Sequence, residues 1–130
     1  MKIGVRAHDY GKHSIEGLAS LLREEGYDGA QLALPKVFEE IDSYEDIRLS
    51  HIERIRRAFE KNRVEIPVMG CYMDLGNPDR SVREYAVETL KNCLLYAKEM
   101  GAGVVGTETA YPRLSREERA AWCPYMMDSL

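Results

Sequence analysis

Two stretches of the chain share one form. Glu24-Glu25-Gly26-Tyr27-Asp28-Gly29-Ala30-Gln31-Leu32-Ala33-Leu34 reads as a helix end, a glycine, two residues, then a strand starting at or just after a second glycine. Glu99-Met100-Gly101-Ala102-Gly103-Val104-Val105-Gly106-Thr107-Glu108-Thr109 reads the same way. Gly26 and Gly101 suit the left-handed position just past a helix end, which penalises any residue with a Cβ. A repeated αβ junction predicts an alternating α/β chain with a parallel sheet.

The remaining pattern fits that frame. Lys2–Ala7 reads as the first strand, followed by a polar loop over His8–His13. Ser14 is a candidate N-cap for a helix running to about Glu25, with Ile15, Leu18, Leu21 and Leu22 as its apolar stripe. Ala30–Leu34 is the second strand, which Pro35 should stop. Lys36–Ser43 reads as a loop, with room for one short helical turn. Leu49, Ile52, Ile55 and Phe59 lie in register on a second helix ending near Asn62; its charged face reads as solvated surface. Val64–Tyr72 is the third strand, and Asp74–Asp79 is a loop of turn formers. Asp79 or Ser81 caps a third helix reaching Met100, with Val82, Tyr85, Ala86, Leu90, Cys93, Leu94 and Ala97 as its expected buried face. Gly103–Thr107 is the fourth strand. Pro112 breaks the chain, Ser115-Arg116-Glu117-Glu118 forms a capping box for a fourth helix, and Pro124 should end or kink that helix.

Strand starts near residues 2, 30, 64 and 103 lie 28, 34 and 39 residues apart, one strand, loop, helix and loop per unit. Right-handed crossovers then put each helix on one face of the sheet. Four units make either a small open sheet or half of an eight-unit barrel. With 130 residues the chain is expected to be a single domain, 1–130, with a real core. It contains neither GxGxxG nor GxxxxGK[ST], so nucleotide-binding readings lose support. A net charge of -4 gives no bulk electrostatic footprint for nucleic acid or a membrane surface. No apolar run is long enough to span a bilayer, and strand-like sequence at Lys2-Ile3 leaves no room for a signal peptide. Cys71, Cys93 and Cys123 are odd in number and form no CxxC pair, which reads as a reduced, cytoplasmic protein.

Three runs carry a family resemblance: Gly4-Val5-Arg6-Ala7-His8-Asp9; Val68-Met69-Gly70-Cys71-Tyr72-Met73-Asp74-Leu75 with Asn77-Pro78-Asp79; and Val104-Val105-Gly106-Thr107-Glu108-Thr109. Together they resemble the amino-terminal half of the xylose isomerase-like TIM barrels, the superfamily of sugar isomerases, epimerases and endonuclease IV-type enzymes. The flavour is that of sugar phosphate isomerases/epimerases, and the likeness runs to about Pro112. It implies four βα units forming half of a TIM (β/α)8 barrel, whose full form takes roughly 250 residues. It also implies a metal-assisted proton or hydride shift on a sugar or sugar phosphate, with a divalent Mn, Mg or Zn ion. In the family the metal-binding residues lie mostly on strands five to eight, which these four units do not include. The chain is therefore expected to be incomplete and inactive by itself. Two further readings are a non-catalytic half-barrel scaffold that dimerises and an endonuclease IV-like nuclease. The net charge, with no basic run interleaved with aromatics, weighs against the nuclease.

In such a fold the working residues stand at the carboxyl ends of strands. Glu108 leads, as a proton-transferring base or one metal ligand; its plain alternative is a carboxylate bonded to a loop N–H or a nearby cation. His8 is the second catalytic candidate, as a ligand or hydroxyl-binding imidazole, against a loop histidine bonded to backbone. Tyr72, Asp74 and Lys36 are candidates for binding substrate, with pocket wall and turn roles as the alternatives for Tyr72 and Asp74. Asp9 and Asp79 read as turn and cap residues, His13 and His51 as surface groups, and Cys71 as packing. Trp122 and Met126-Met127 would pack under the last helix, lie partly exposed or serve an interface. A lone half would bare one sheet face, with Val5, Leu32 and Val68 on it, and two strand edges. A homodimer is the expected remedy.

Overall fold

A computed structural model describes residues 1–108 and 114–130. Its four strands are β1 (Gly4–Arg6), β2 (Gly29–Leu32), β3 (Glu65–Gly70) and β4 (Val104–Gly106), in one parallel sheet of order β1-β2-β3-β4. Between them run α1 (Ile15–Glu24), a one-turn helix α2 (Leu34–Val37), α3 (Leu49–Asn62) and α4 (Arg80–Met100), and α5 (Arg116–Ser129) follows β4. The class is α/β with four successive βα units. Thr109 and Pro112 lie outside the described residues.

The caps explain where the helices start. Ser14 Oγ accepts the Gly17 N–H at 3.1 Å, and Asp79 Oδ1 accepts the Ser81 N–H at 2.8 Å. Ser115 and Glu118 exchange bonds at 3.1 and 2.8 Å, the capping box expected for α5. Gly26 and Gly101 take φ of 86° and 80°, the left-handed exits required by the two repeated junctions. The third helix, α3, leaves through Arg63 at φ 56°, a position for which its sequence offers no glycine.

The core lies between the sheet and the layer of α1, α3 and α4. Leu18, Leu22, Leu32, Ile52, Ile55, Phe59 and Met69 are buried there. Leu32 is completely buried and Val5 packs against this same core, so neither lies on the bare sheet face, contrary to expectation. Side chains alternate across a strand, and the phase expected for these two was off by one. The register aligns Arg6 with Gln31, Gln31 with Val68, and Val68 with Val104. Alternation adds Gly4, Gly29, Gly70 and Gly106 to the same open face.

Three other details depart from the sequence reading. Pro35 sits in the first turn of α2, where its missing N–H is harmless, so it opens a helical turn just after β2. Helix α5 runs on through Pro124. Ala120 and Pro124 are both exposed, so water can satisfy the carbonyl that Pro124 leaves free. Helix α4 buries Ala86, Thr89, Cys93, Ala97 and Met100, while Val82, Tyr85 and Leu94 of its expected face are exposed. It lies at the β4 edge, where α3 packs on one flank and α5 touches its amino-terminal part through Arg83.

No helix among the described residues is long and apolar enough to cross a membrane.

A Cβ at Gly101 would touch nothing within 4 Å, so Gly101→Ala pays only the left-handed backbone penalty. We expect it to lower unfolding free energy by about 1–2 kcal/mol in urea titrations. Gly103→Ala has equal space without a positive φ and should be neutral or slightly stabilising.

Candidate functional site

Each strand delivers polar groups at its carboxyl end. His8 follows β1 within a 3-10 turn, Ala7–Tyr10. Lys36 belongs to α2 just beyond β2, Tyr72 and Asp74 follow β3, and Glu108 follows β4. Lys36, Tyr72, Asp74 and Glu108 line one cavity of about 650 Å³. Tyr44, Leu75, Leu114, Arg119, Trp122 and Met126 also line it.

Tyr72 is the centre of the floor. Gln31 Nε2 donates to its hydroxyl at 2.6 Å. The Lys36 ammonium stands 4.6 Å from its ring centroid, a cation–π distance. The His8 ring meets it edge-on, with centroids 6.1 Å apart. A Cβ on Gly70 would lie 3.1 Å from the Tyr72 ring tip and hydroxyl and 3.3 Å from the Ala33 Cβ, so glycine is what lets the ring lie against the strand. The Tyr72 backbone N–H donates to the Tyr44 hydroxyl at 3.1 Å, and that hydroxyl donates to the Gly70 carbonyl at 3.2 Å. Burial raises the Tyr72 pKa, and the nearby Glu108 charge raises it further, against the opposing pull of Arg6 and the Gln31 bond. Burial also raises the Tyr44 pKa. Both phenols stay protonated at neutral pH and can donate.

The other candidates divide. Asp74 reaches the cavity, but its Oδ2 accepts from Asn77 Nδ2 at 2.8 Å, which ties it to its own turn. His8 stands outside the cavity and meets it only through Tyr72. Its Nδ1 is buried without a hydrogen-bond partner among the described residues, as is Thr107 Oγ1. Burial lowers the His8 pKa, the Arg6 charge lowers it further, and Asp9 opposes only in part. Asp9 itself holds Arg6 through bonds of 2.8 and 3.1 Å, a fixed local pair in keeping with a turn residue.

Tyr44 and Arg119 went unnoticed in the sequence. Tyr44 comes from the loop before α3, far from any strand end, and no local pattern marks it. Trp122 and Met126 carried a signal, as conspicuous apolar groups on a weakly amphipathic helix, but the cavity they face is made by tertiary packing.

A divalent ion finds no set of ligands here. Among the described residues no three His, Cys, Asp or Glu side chains converge. The donor set does not fit a complete metal centre.

A parallel βα sheet in the sequential order β1-β2-β3-β4, with polar groups gathered at its strand ends, is the pattern of half a TIM-barrel scaffold. The family description "Xylose isomerase-like TIM barrel" matches residues 19–129, and the chain belongs to that family. No curated protein sequence matches it. Three solved structures are similar in fold. A D-psicose 3-epimerase, solved in the presence of D-fructose, superposes with a TM-score of 0.67 at 12% identity, over 99% of this chain and 50% of that one. The probable 3-DHS dehydratase AsbF of Bacillus anthracis, involved in petrobactin synthesis, gives 0.66 at 14%, over 99% and 49%. The 3-keto-D-glucoside 4-epimerase YcjR of E. coli gives 0.64 at 16%, over 98% and 49%. The chain spans about half the length of each.

His8 supplies a pH prediction. Its folded-state pKa lies below the unfolded value, so the unfolded chain binds the extra proton as pH falls below about 6.5. The stability held by neutral His8 is present above that pH and is lost on acidification. We expect its ring to titrate below the ordinary histidine range by NMR. Between pH 7 and 5, His8→Gln should lose urea stability less steeply than the parent chain.

Proposed function

We propose that this chain is the amino-terminal half of an isomerase or epimerase acting on a sugar or sugar phosphate. The observation that carries the reading is the shared cavity: a carboxylate, an ammonium and a phenol at successive strand ends in a member of this family. Glu108 is the group to take a proton from carbon beside a carbonyl. Lys36 and Tyr72 are the donors to the oxygen on which charge then develops. Tyr72 keeps its proton because burial and Glu108 both oppose its ionisation. Asp74, bonded to Asn77, shapes the rim, and His8 backs the Tyr72 ring. Ligand-observed NMR with a ketohexose tests this reading. We expect binding to weaken about tenfold in Glu108→Gln, the loss of one charge-assisted hydrogen bond. Undiminished binding in that variant, or no binding by the parent, overturns it.

In this proposal Glu108 offers a divalent ion one carboxylate, and the other ligands come from outside the four units. Titration with Mn2+ should give an affinity no tighter than about millimolar. Saturation at micromolar ion would mean that a complete ligand set exists.

In this reading a second copy covers the open sheet edges where the complementary half would stand, without supplying its ligands. Ile3 beside β1, Val104 on β4 and Leu94 and Leu95 on α4 are exposed by half or more. These residues flank the two open edges of the sheet, β1 and β4. A two-fold axis along the barrel would set β4 beside the partner's β1 in parallel, closing both edges at once. The same observation suits a non-catalytic dimeric scaffold, and proton exchange at the sugar carbon in D2O separates the two. Light scattering should report twice 14.9 kDa, reverting to one chain in Val104→Lys. A monodisperse 14.9 kDa species in the parent chain overturns the dimer.

A further inference from the structure

The cavity has two unlike sides. Lys36, Tyr72 and Glu108 form a polar floor at the strand ends, whereas Trp122 and Met126, over the buried Leu75, form an apolar patch beside Arg119. That patch is assembled from the β3–α4 loop and α5, and α5 is seated closely. A Cβ on Gly76 would already lie 3.6 Å from the Met126 Cβ and 3.7 Å from the Trp122 carbonyl. Arg83 anchors the same helix, with its guanidinium 4.9 Å from the Tyr125 ring centroid and 3.8 Å from Asp128. The patch thus belongs to a docked element.

We propose that the cavity takes a sugar-type ligand bearing an apolar aryl or alkyl substituent, with the sugar on the floor and the substituent against Trp122 and Met126. This rests on the carbohydrate reading above and adds to it a subsite for the substituent; a simple glycoside, whose acetal has no carbonyl, probes binding there and is not the reacting substrate. Size and chemistry carry the argument. About 650 Å³ is in the range of drug-sized ligand sites and exceeds what a single hexose fills. With the sugar on the floor, Trp122 and Met126 remain, and hydroxyls set against their carbons would lose water with no partner. A substituent that buries methylene or ring carbons there tightens binding roughly fourfold for each CH2.

The test has a built-in reporter, because Trp122 is the one tryptophan in the sequence. The full chain is titrated with phenyl β-D-glucoside, methyl β-D-glucoside and phenol while tryptophan emission is followed. Because the ring is only partly buried against Trp122 and Met126, we expect phenyl glucoside to bind at least about tenfold tighter than methyl glucoside, and phenol to bind more weakly than phenyl glucoside. Met126→Ser should reduce the phenyl glucoside to the methyl glucoside's affinity, whereas Glu108→Gln should weaken both glycosides by the same factor. Equal affinity for the two glycosides overturns the apolar-substituent assignment and leaves the carbohydrate reading intact. Phenol binding as tightly as phenyl glucoside overturns the carbohydrate reading, and the present assignment falls with it. No binding of any of the three overturns both.

Discussion

Where β3 leaves the sheet, its last peptide groups lose their ladder partners, and buried backbone groups without partners are costly. The Tyr44 hydroxyl answers this on both sides, donating to the Gly70 carbonyl and accepting from the Tyr72 N–H. The Cys71 N–H between them still reaches the Gly106 carbonyl of β4 at 2.8 Å. The turn at residues 70–72 is thereby held on both flanks. With the backbone fixed, the Tyr72 ring lies over Gly70, its hydroxyl meets Gln31, and its face carries Lys36. The cavity floor therefore depends on one phenol from a loop that contributes no strand.

This dependence explains which parts of the molecule were legible in the sequence. Gly26 and Gly101 announced themselves because a left-handed exit is a local requirement that glycine meets most easily. Capping at Ser14, Asp79 and Ser115 is equally local. The strand-end positions of Lys36, Tyr72 and Glu108 followed from the order of elements, and all three reach one cavity. Tyr44 was invisible because its role exists only after the loop before α3 folds over β3. The face of α4 was misjudged because a helix with apolar residues on several sides has more than one plausible stripe. Only the neighbours, the sheet, α3 and α5, decide which is buried. Leu32 and Val5 were misplaced for a related reason. Both flanking layers of a barrel sheet are built from side chains, so a short strand carries no reliable mark of which face meets the helices.

The open face also bears on how four units can stand alone. The large buried side chains lie on the helix side, and the opposite face is half glycine by position. Its side chains form one row, Arg6, Gln31, Val68 and Val104, linked by register across all four strands. Arg6 is held by Asp9, and Gln31 is bonded to Tyr72, so the β1–β2 half of the row is polar and already engaged. Apolar surface comes from Val68 and Val104, with Pro67 beside Gly29 at the register shift. A face of this kind creates less pressure to aggregate than one of leucines, which is why the four units can keep a filled core without it.

The same row limits what could close the structure. Glycines leave little side-chain volume to fill a barrel interior, whereas complete barrels pack theirs in layers. Two copies meeting across a two-fold axis would set Val104 of one near Arg6 of the other, an apolar contact only through the arginine's carbon stem. The larger apolar gain lies outside the interior, where Ile3, Leu94 and Leu95 flank the two sheet edges. Association should then be driven by strand pairing and helix contact at the rims.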